Sequence, residues 1–88
     1  MQIEITHKFQ KQLLKCPDNK IRLNVLKIIK EVQNTQKIAD IKNIRKLSGF
    51  RHYYRSRTGS YRIGLKFENN TVIFSAFDHR SDIYKYFP

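Results

Sequence analysis

No acidic residue occurs between Lys42 and Lys66, although that stretch holds Lys42, Arg45, Lys46, Arg51, Arg55, Arg57, Arg62 and Lys66. The whole chain is short of negative charge, with 7 Asp and Glu against 18 Lys and Arg. Chemistry that needs clustered carboxylates is thereby disfavoured. Asp78 and Asp82 alone lie close together near a histidine, and the adjacent Arg80 reads as their salt-bridge partner in preference to a magnesium ion. A single cysteine, Cys16, excludes an internal disulfide, and no Cys/His spacing suits zinc. The 3 glycines form no phosphate-cradling loop; Gly49, Gly59 and Gly64 read as turn or packing residues. No apolar run approaches the length of a membrane span, and the first residues lack the charged-then-apolar pattern of a secretory leader. The expectation is a cytoplasmic protein with no membrane partner, no cofactor and no metal, in which Cys16 is a small apolar filler.

What is present points to one folded body. With 88 residues, 40% of them apolar, the chain is long enough for a single core and too short for two, so residues 1–88 read as one domain. The formal net charge of +11 opposes compaction and favours a polyanionic partner. On charge alone, nucleic acid, an anionic membrane and an acidic protein all qualify. Tyr53, Tyr54 and Tyr61 are set among the cations, and guanidinium groups attract phosphates while rings stack on bases. A charge run on a strand is ordinarily a solvated face. Here it has one sign and falls where the pattern otherwise reads as packed sheet, so nucleic acid ranks first.

The apolar pattern gives the elements. Ile3 and Ile5 alternate with Gln2 and Glu4, a short strand. Thr6 can cap a helix running to about Lys15, stopped by Pro17. Asp18 can cap a second helix, on which Ile21, Val25, Ile28, Ile29 and Val32 form one stripe, widened by Leu23 and Leu26. Residues 34–43 are polar and irregular, with room for a short helical turn, and Ser48-Gly49 is a turn. Tyr61, Ile63, Leu65 and Phe67 then alternate with Arg62, Gly64 and Lys66 as a half-buried strand. Thr58-Gly59-Ser60 turns it back onto a strand over about His52 to Arg57, and Asn69-Asn70 leads into a third strand over Val72 to Phe77, apolar on both faces. The tail packs back through Ile83, Tyr86 or Phe87. The predicted fold is α+β, in the order β-α-α-β-β-β, with a helix hairpin on one face of a mainly antiparallel four-stranded sheet. Its uncovered face would carry Arg55, Arg57 and Arg62 as one cluster.

Such a cluster suits phosphoryl transfer without metal. RNA cleaves itself when its 2′-hydroxyl loses a proton, the charge on the in-line phosphorane is neutralised and the 5′-oxygen is protonated. Preorganised guanidinium groups supply the neutralisation. Histidine shuttles protons near neutrality, which nominates His79. A tyrosine does so only where neighbouring cations lower its pKa, which sets the condition for Tyr84. The plainer alternatives are a capping role for His79, a core-edge ring with a wet hydroxyl for Tyr84, and cross-strand packing for Tyr53, Tyr54 and Tyr61. Lys46, Arg51, Tyr53 and Lys66 read as general contacts to a nucleic-acid strand, as does His52.

Three segments carry a resemblance: Lys46-Leu47-Ser48-Gly49, then Tyr54-Arg55-Ser56-Arg57-Thr58-Gly59-Ser60-Tyr61-Arg62-Ile63, then His79-Arg80-Ser81-Asp82-Ile83-Tyr84. In order and spacing the chain resembles the RelE/ParE toxin superfamily of bacterial and archaeal toxin–antitoxin modules. The resemblance implies the same β-α-α-β-β-β fold. It implies a ribosome-dependent endoribonuclease that cleaves mRNA without metal, and a neutralising antitoxin, acidic in its toxin-binding segment, through which alone operator DNA is bound. It assigns Arg55 and Arg57 to the mRNA backbone, Arg62 and Arg80 to the transition state, and proton transfer to Tyr84, with His79 at a position that varies in the family. The superfamily's other branch, ParE-like inhibitors of DNA gyrase, typically lacks the full His-Arg…Tyr ending that this chain retains. A non-catalytic RNA- or DNA-binding module is the third reading.

Overall fold

The computed structural model describes residues 1–88. Its elements are β1 (Gln2–Ile5), α1 (His7–Lys15), α2 (Asn19–Asn34), β2 (Ile44–Lys46), β3 (Tyr53–Thr58), β4 (Tyr61–Glu68) and β5 (Thr71–His79). Short 3-10 turns lie at Ile38–Asp40 and Ile83–Lys85. The sheet order is β1-β5-β4-β3-β2, with β1 parallel to β5 and every other pair antiparallel. The sheet therefore has five strands and not four. The additional strand is β2, only 3 residues long, too short to show an alternating pattern. It lies at the sheet edge and pairs Ile44, Arg45 and Lys46 with Ser56, Arg55 and Tyr54.

Both helices begin where the sequence places their caps. The Thr6 hydroxyl accepts from the Phe9 N–H, and the Asp18 carboxylate accepts from the Lys20 and Ile21 N–H groups. On α2, Val25, Ile28 and Val32 are buried, whereas Leu23 and Leu26 are 65% and 52% exposed. The two leucines do not widen the core stripe. Two residues before Val25, Leu23 falls on roughly the opposite side of the helix, and with Leu13, Leu14 and Leu26 it lines an apolar groove outside the helix pair. At the far end of α2's contact with the sheet, Asn24 donates to the hydroxyl of buried Thr58 at 2.7 Å.

β5 explains why its sequence is apolar on both faces. Leu65 pairs with Phe74 but Gly64 pairs with Ala76, so Ser75 is an extra residue and the strand bulges there. The bulge lets Phe74 and Phe77, three apart, point to the same side, where both meet the ring of Phe9 edge-on at 5.5 and 6.1 Å. The bulge is held by Thr6, whose hydroxyl donates toward the carbonyls of Phe74 and Ser75, each at 3.2 Å. Beyond it β1 no longer pairs with β5, and the side-chain carbonyl of Gln12 accepts from the Phe77 N–H at 2.9 Å in place of a strand.

The opposite sheet face carries a second, smaller core of Ala76, Ile83 and Phe87, flanked by Leu47 and Tyr53. The tail folds back onto the strands, and Phe87 is 6% exposed. It sits directly on Gly64: a Cβ there would lie 2.8 Å from the ring. The Gly64 backbone has no positive φ, so glycine serves here for room, not for conformation. The turn glycines are Gly49, at φ 83° in the turn before β3, and Gly59, at φ 59° in the β3–β4 hairpin, while Asn69-Asn70 take left-handed conformations in the β4–β5 hairpin at 52° and 56°. Of the tail residues expected to pack back, Ile83 and Phe87 are buried and Tyr86 is an edge clamp. The Tyr86 hydroxyl donates to Asp78 at 2.9 Å and accepts from Gln12 at 2.6 Å, with the Lys8 ammonium 3.8 Å from its ring.

Two outcomes test the tail's seat. Gly64→Ala is expected to destabilise the fold by about 1–3 kcal/mol through overpacking, and Phe87→Leu in the same chain to recover much of that loss. Urea midpoints of the four-member cycle would show strictly additive effects if Phe87 did not rest on Gly64. Burial, aided by Asp78 and opposed by the bond from Gln12, pushes the Tyr86 phenol up to about 12. A raised folded value means that this contribution is whole below the ordinary tyrosine value of about 10 and is lost as pH climbs through about 12. Ultraviolet titration should show a late phenol step near 12 that Tyr86→Phe removes.

Candidate functional site

Cross-strand register decides which cations share a face. Arg45 stands opposite Arg55, Arg57 opposite Arg62, and Tyr53 opposite Lys66. Directly opposed residues point the same way, so all six leave the sheet on the side away from the helices. Two of these pairs set arginine against arginine. Neither pair forms a salt bridge: the two bridges of the molecule are Lys66–Glu68 and Lys85–Asp82, and Asp78, which stands opposite Arg62 on β5, does not close one with it. A polar hollow of about 290 Å³ opens among Lys42, Asn43, Arg45, Arg55 and Arg57.

The tail brings Tyr84 to this array. With Ile83 buried and Phe87 seated on Gly64, Tyr84 stays 45% exposed, and its hydroxyl lies 3.4 Å from an Arg55 nitrogen. Arg62 curls back onto the β3–β4 turn, donating to the carbonyls of Gly59 and Tyr61 at 3.0 and 2.9 Å. Its guanidinium is thus oriented by backbone and makes no salt bridge with Asp78, its cross-strand neighbour on β5. Arg80 is anchored at the same turn through its N–H, which donates to the Ser60 carbonyl at 2.8 Å, while its side chain is exposed and makes no bridge. Arg80 therefore does not link Asp78 to Asp82, as its position between them suggested. Asp78 is engaged by Tyr86 and the His79 N–H, and Asp82 by Lys85.

Several of the other residues singled out in the sequence lie apart. His79 pairs with Tyr61, one step out of phase with the Arg62–Asp78 pair, so its ring leaves on the helix side. There it meets Tyr61 edge-on at 5.8 Å and its Nδ1 bonds the Ser81 hydroxyl at 2.8 Å. The structure does not bring it to Arg62 and Tyr84. Lys46 pairs with Tyr54, which puts it on the helix side of the edge strand, beside the loop that carries exposed Arg51 and Phe50. Of the three tyrosines, Tyr54 packs edge-on to Phe67 and Tyr61 stacks on Phe77 at 5.0 Å, both on the helix side. Tyr53 alone faces the cationic side, held between Phe50 and Phe87 with Lys66 5.7 Å from its ring. His52 is exposed just before β3.

Lys42, Asn43 and Arg45 are the residues that pattern reasoning passed over. Their signal was present in the unbroken basic tract, but only the pairing of β2 with β3 shows that they flank Arg55 and Arg57. No group of three or more His, Cys, Asp or Glu side chains is arranged to hold a metal. No helix is long and apolar enough to cross a membrane.

Comparison with known proteins agrees with this architecture. A family model described as the ParE toxin of the type II toxin–antitoxin system, parDE, matches residues 3–84. Toxin RelE3 of Methanocaldococcus jannaschii is 40% identical over 89 residues, with the whole of both chains aligned. The toxin in the crystal structure of the RelB-RelE antitoxin-toxin complex from Methanococcus jannaschii superposes with a TM-score of 0.79 at 40% identity, over 97% of this chain and 99% of that one. The fold extends to the intact Escherichia coli RelBE complex, with a TM-score of 0.68 at 20% identity over 89% of this chain and 94% of that one. The chain belongs to the ParE toxin family of type II toxin–antitoxin systems, within the RelE/ParE toxin superfamily.

Proposed function

We propose that this toxin is a metal-independent endoribonuclease that cleaves mRNA on the ribosome and so arrests translation. The observation that carries the reading is the contact of an exposed phenol, Tyr84, with Arg55, the guanidinium that shares a sheet face with Arg57 and Arg62. In the reaction a bond forms between the 2′-oxygen and phosphorus while the bond from phosphorus to the 5′-oxygen breaks. One proton leaves the 2′-hydroxyl and one reaches the departing 5′-oxygen. Arg62 and Arg80, both tied to the β3–β4 turn, neutralise charge on the phosphorane. Tyr84 carries a proton, and Arg55 and Arg57 hold the backbone of the strand. Tyr53 and Lys66 extend the contact surface along the same face, whereas Lys46 and Arg51 meet the ribosome or its RNA from the edge loop. His79, on the helix side, takes a structural role and no part in the chemistry.

The regulatory partner is an antitoxin, as in the RelB-RelE complexes to which the chain is similar. An acidic segment that covers the guanidinium row or lifts the tail from Gly64 would silence the site, because Tyr84 is carried by that tail. DNA contact then comes through the antitoxin.

The matching of a model built on ParE toxins favours one second reading, inhibition of DNA gyrase by protein binding. Programmed ribosomes, mRNA and EDTA with the purified chain decide between them. Discrete new mRNA ends are expected, with Arg62→Ala slowing their appearance about 10²–10³-fold, the cost of removing one preorganised donor, at unchanged thermal stability. Tyr84→Phe is expected to slow cleavage by about 10²-fold or more, the usual weight of a positioned proton carrier. Intact mRNA beside arrested gyrase supercoiling would sink the ribonuclease and favour the second reading.

A further inference from the structure

We infer that Lys42, Asn43 and Arg45 extend the backbone contact of Arg55 and Arg57 into a second phosphodiester subsite, in the hollow between β2 and β3, that grips the RNA strand next to the bond being broken. The inference rests on the ribonuclease reading above for the identity of the strand. Its walls are Lys42, Asn43, Arg45, Arg55 and Arg57, with no apolar and no acidic member. Four cations and one amide donor around about 290 Å³ match a group whose negative charge is spread over several oxygens.

Three further observations specify the occupant. Arg45 and Arg55 are directly opposed in the ladder, a like-charge pair that destabilises the sheet until an anion sits between the two heads. Nothing in the chain does so, since neither arginine has a carboxylate partner. Arg55 also belongs to both places at once: it lines the hollow and reaches the Tyr84 hydroxyl at 3.4 Å. Arg55 thereby links the two places, so that a strand with one phosphate at Tyr84 would lead its neighbour toward Arg45 and Lys42. Finally, β2 is the edge strand, so the hollow opens at the margin of the sheet and a continuous polymer can run off it. An isolated small anion would satisfy the charges but would not use that connection.

The test uses the full chain and a fluorescent single-stranded RNA whose 2′-hydroxyls are methylated, so that binding is read without cleavage. Arg45→Gln and Lys42→Gln are each expected to weaken binding about tenfold at low salt, the scale of one charge-assisted contact. Each should also reduce the slope of log affinity against log salt by about 0.7, the increment for one phosphate on a single strand. Both side chains are exposed, and thermal melts check that the variants fold. Unchanged affinity and slope in both variants would overturn the subsite. So would inorganic phosphate saturating the Arg45 and Arg55 guanidinium resonances while the variants bind RNA as well as the parent, which marks a free-anion site. Loss of affinity for a glutamate-rich peptide alone would assign the hollow to a protein partner and equally overturn it. If the parent fails to cut mRNA on ribosomes yet shows the expected Lys42 and Arg45 dependence, the subsite stands and the ribonuclease reading falls.

Discussion

Repulsion between like charges on one sheet face is the constraint around which this molecule is built. Arg45 faces Arg55 and Arg57 faces Arg62 across the ladder; Asp78 stands opposite Arg62 on β5, but neither arginine pair forms a salt bridge. Such an arrangement costs stability, so it persists only because the reverse face holds the strands together. There Ile63, Leu65, Val72, Phe74 and Phe77 are buried against Phe9, Val25, Ile28 and Val32. Each fully buried side chain of this size contributes about 1.5–3 kcal/mol, against at most about 1 kcal/mol for a cross-strand charge contact. The core therefore wins comfortably. The alternation of β3 and β4 makes the division of labour possible, since successive residues serve opposite faces.

The second constraint is geometric. A flat cationic face binds a polyanion but does not by itself place a proton carrier. The tail places the Tyr84 phenol, the proton carrier of the proposed reaction, and its path depends on Gly64 having no side chain. Phe87 fills the space over Gly64, Ile83 rests by Ala76, and Tyr86 is clamped at the edge by Asp78, Gln12 and Lys8. With three anchors on one short segment, Tyr84 is left projecting toward Arg55. The bulge at Ser75 belongs to the same design. By shifting the phase of β5 it gives Phe77 to the main core and Ala76 to the tail, so one strand supports both layers.

Much of this was legible in the residues. The two helix caps, the α2 stripe, the Gly59 and Asn69-Asn70 turns and the clustering of Arg55, Arg57 and Arg62 all follow from local chemistry and period. What was not legible depended on pairing. β2 has three residues, below the length at which alternation can be recognised, and with it went Lys42 and Arg45. Leu23 and Leu26 are apolar without being inward, because a helix with an apolar stripe can carry leucines on its outer side as well. His79 is one residue from Asp78 and Arg80, yet strand alternation sends its ring to the other face, and adjacency in sequence carries no such information.

The distance between His79 and the guanidinium row bears on how such a site can work. With the His79 ring on the helix side, Tyr84 is the phenol that reaches the row, at Arg55. Its neighbours are cations, and cations neither donate to nor accept from a reacting oxygen as efficiently as they stabilise its charge. On the ribonuclease reading proposed above, a site of this composition would achieve its rate mainly through electrostatic preorganisation and the alignment of the 2′-oxygen with the breaking bond. Alignment requires that the RNA be held at more than one phosphate, because a single contact leaves the strand free to rotate. An array that extends from the β3–β4 turn to the β2 edge meets that requirement, and it explains why so small a protein spends so many cations on a single face.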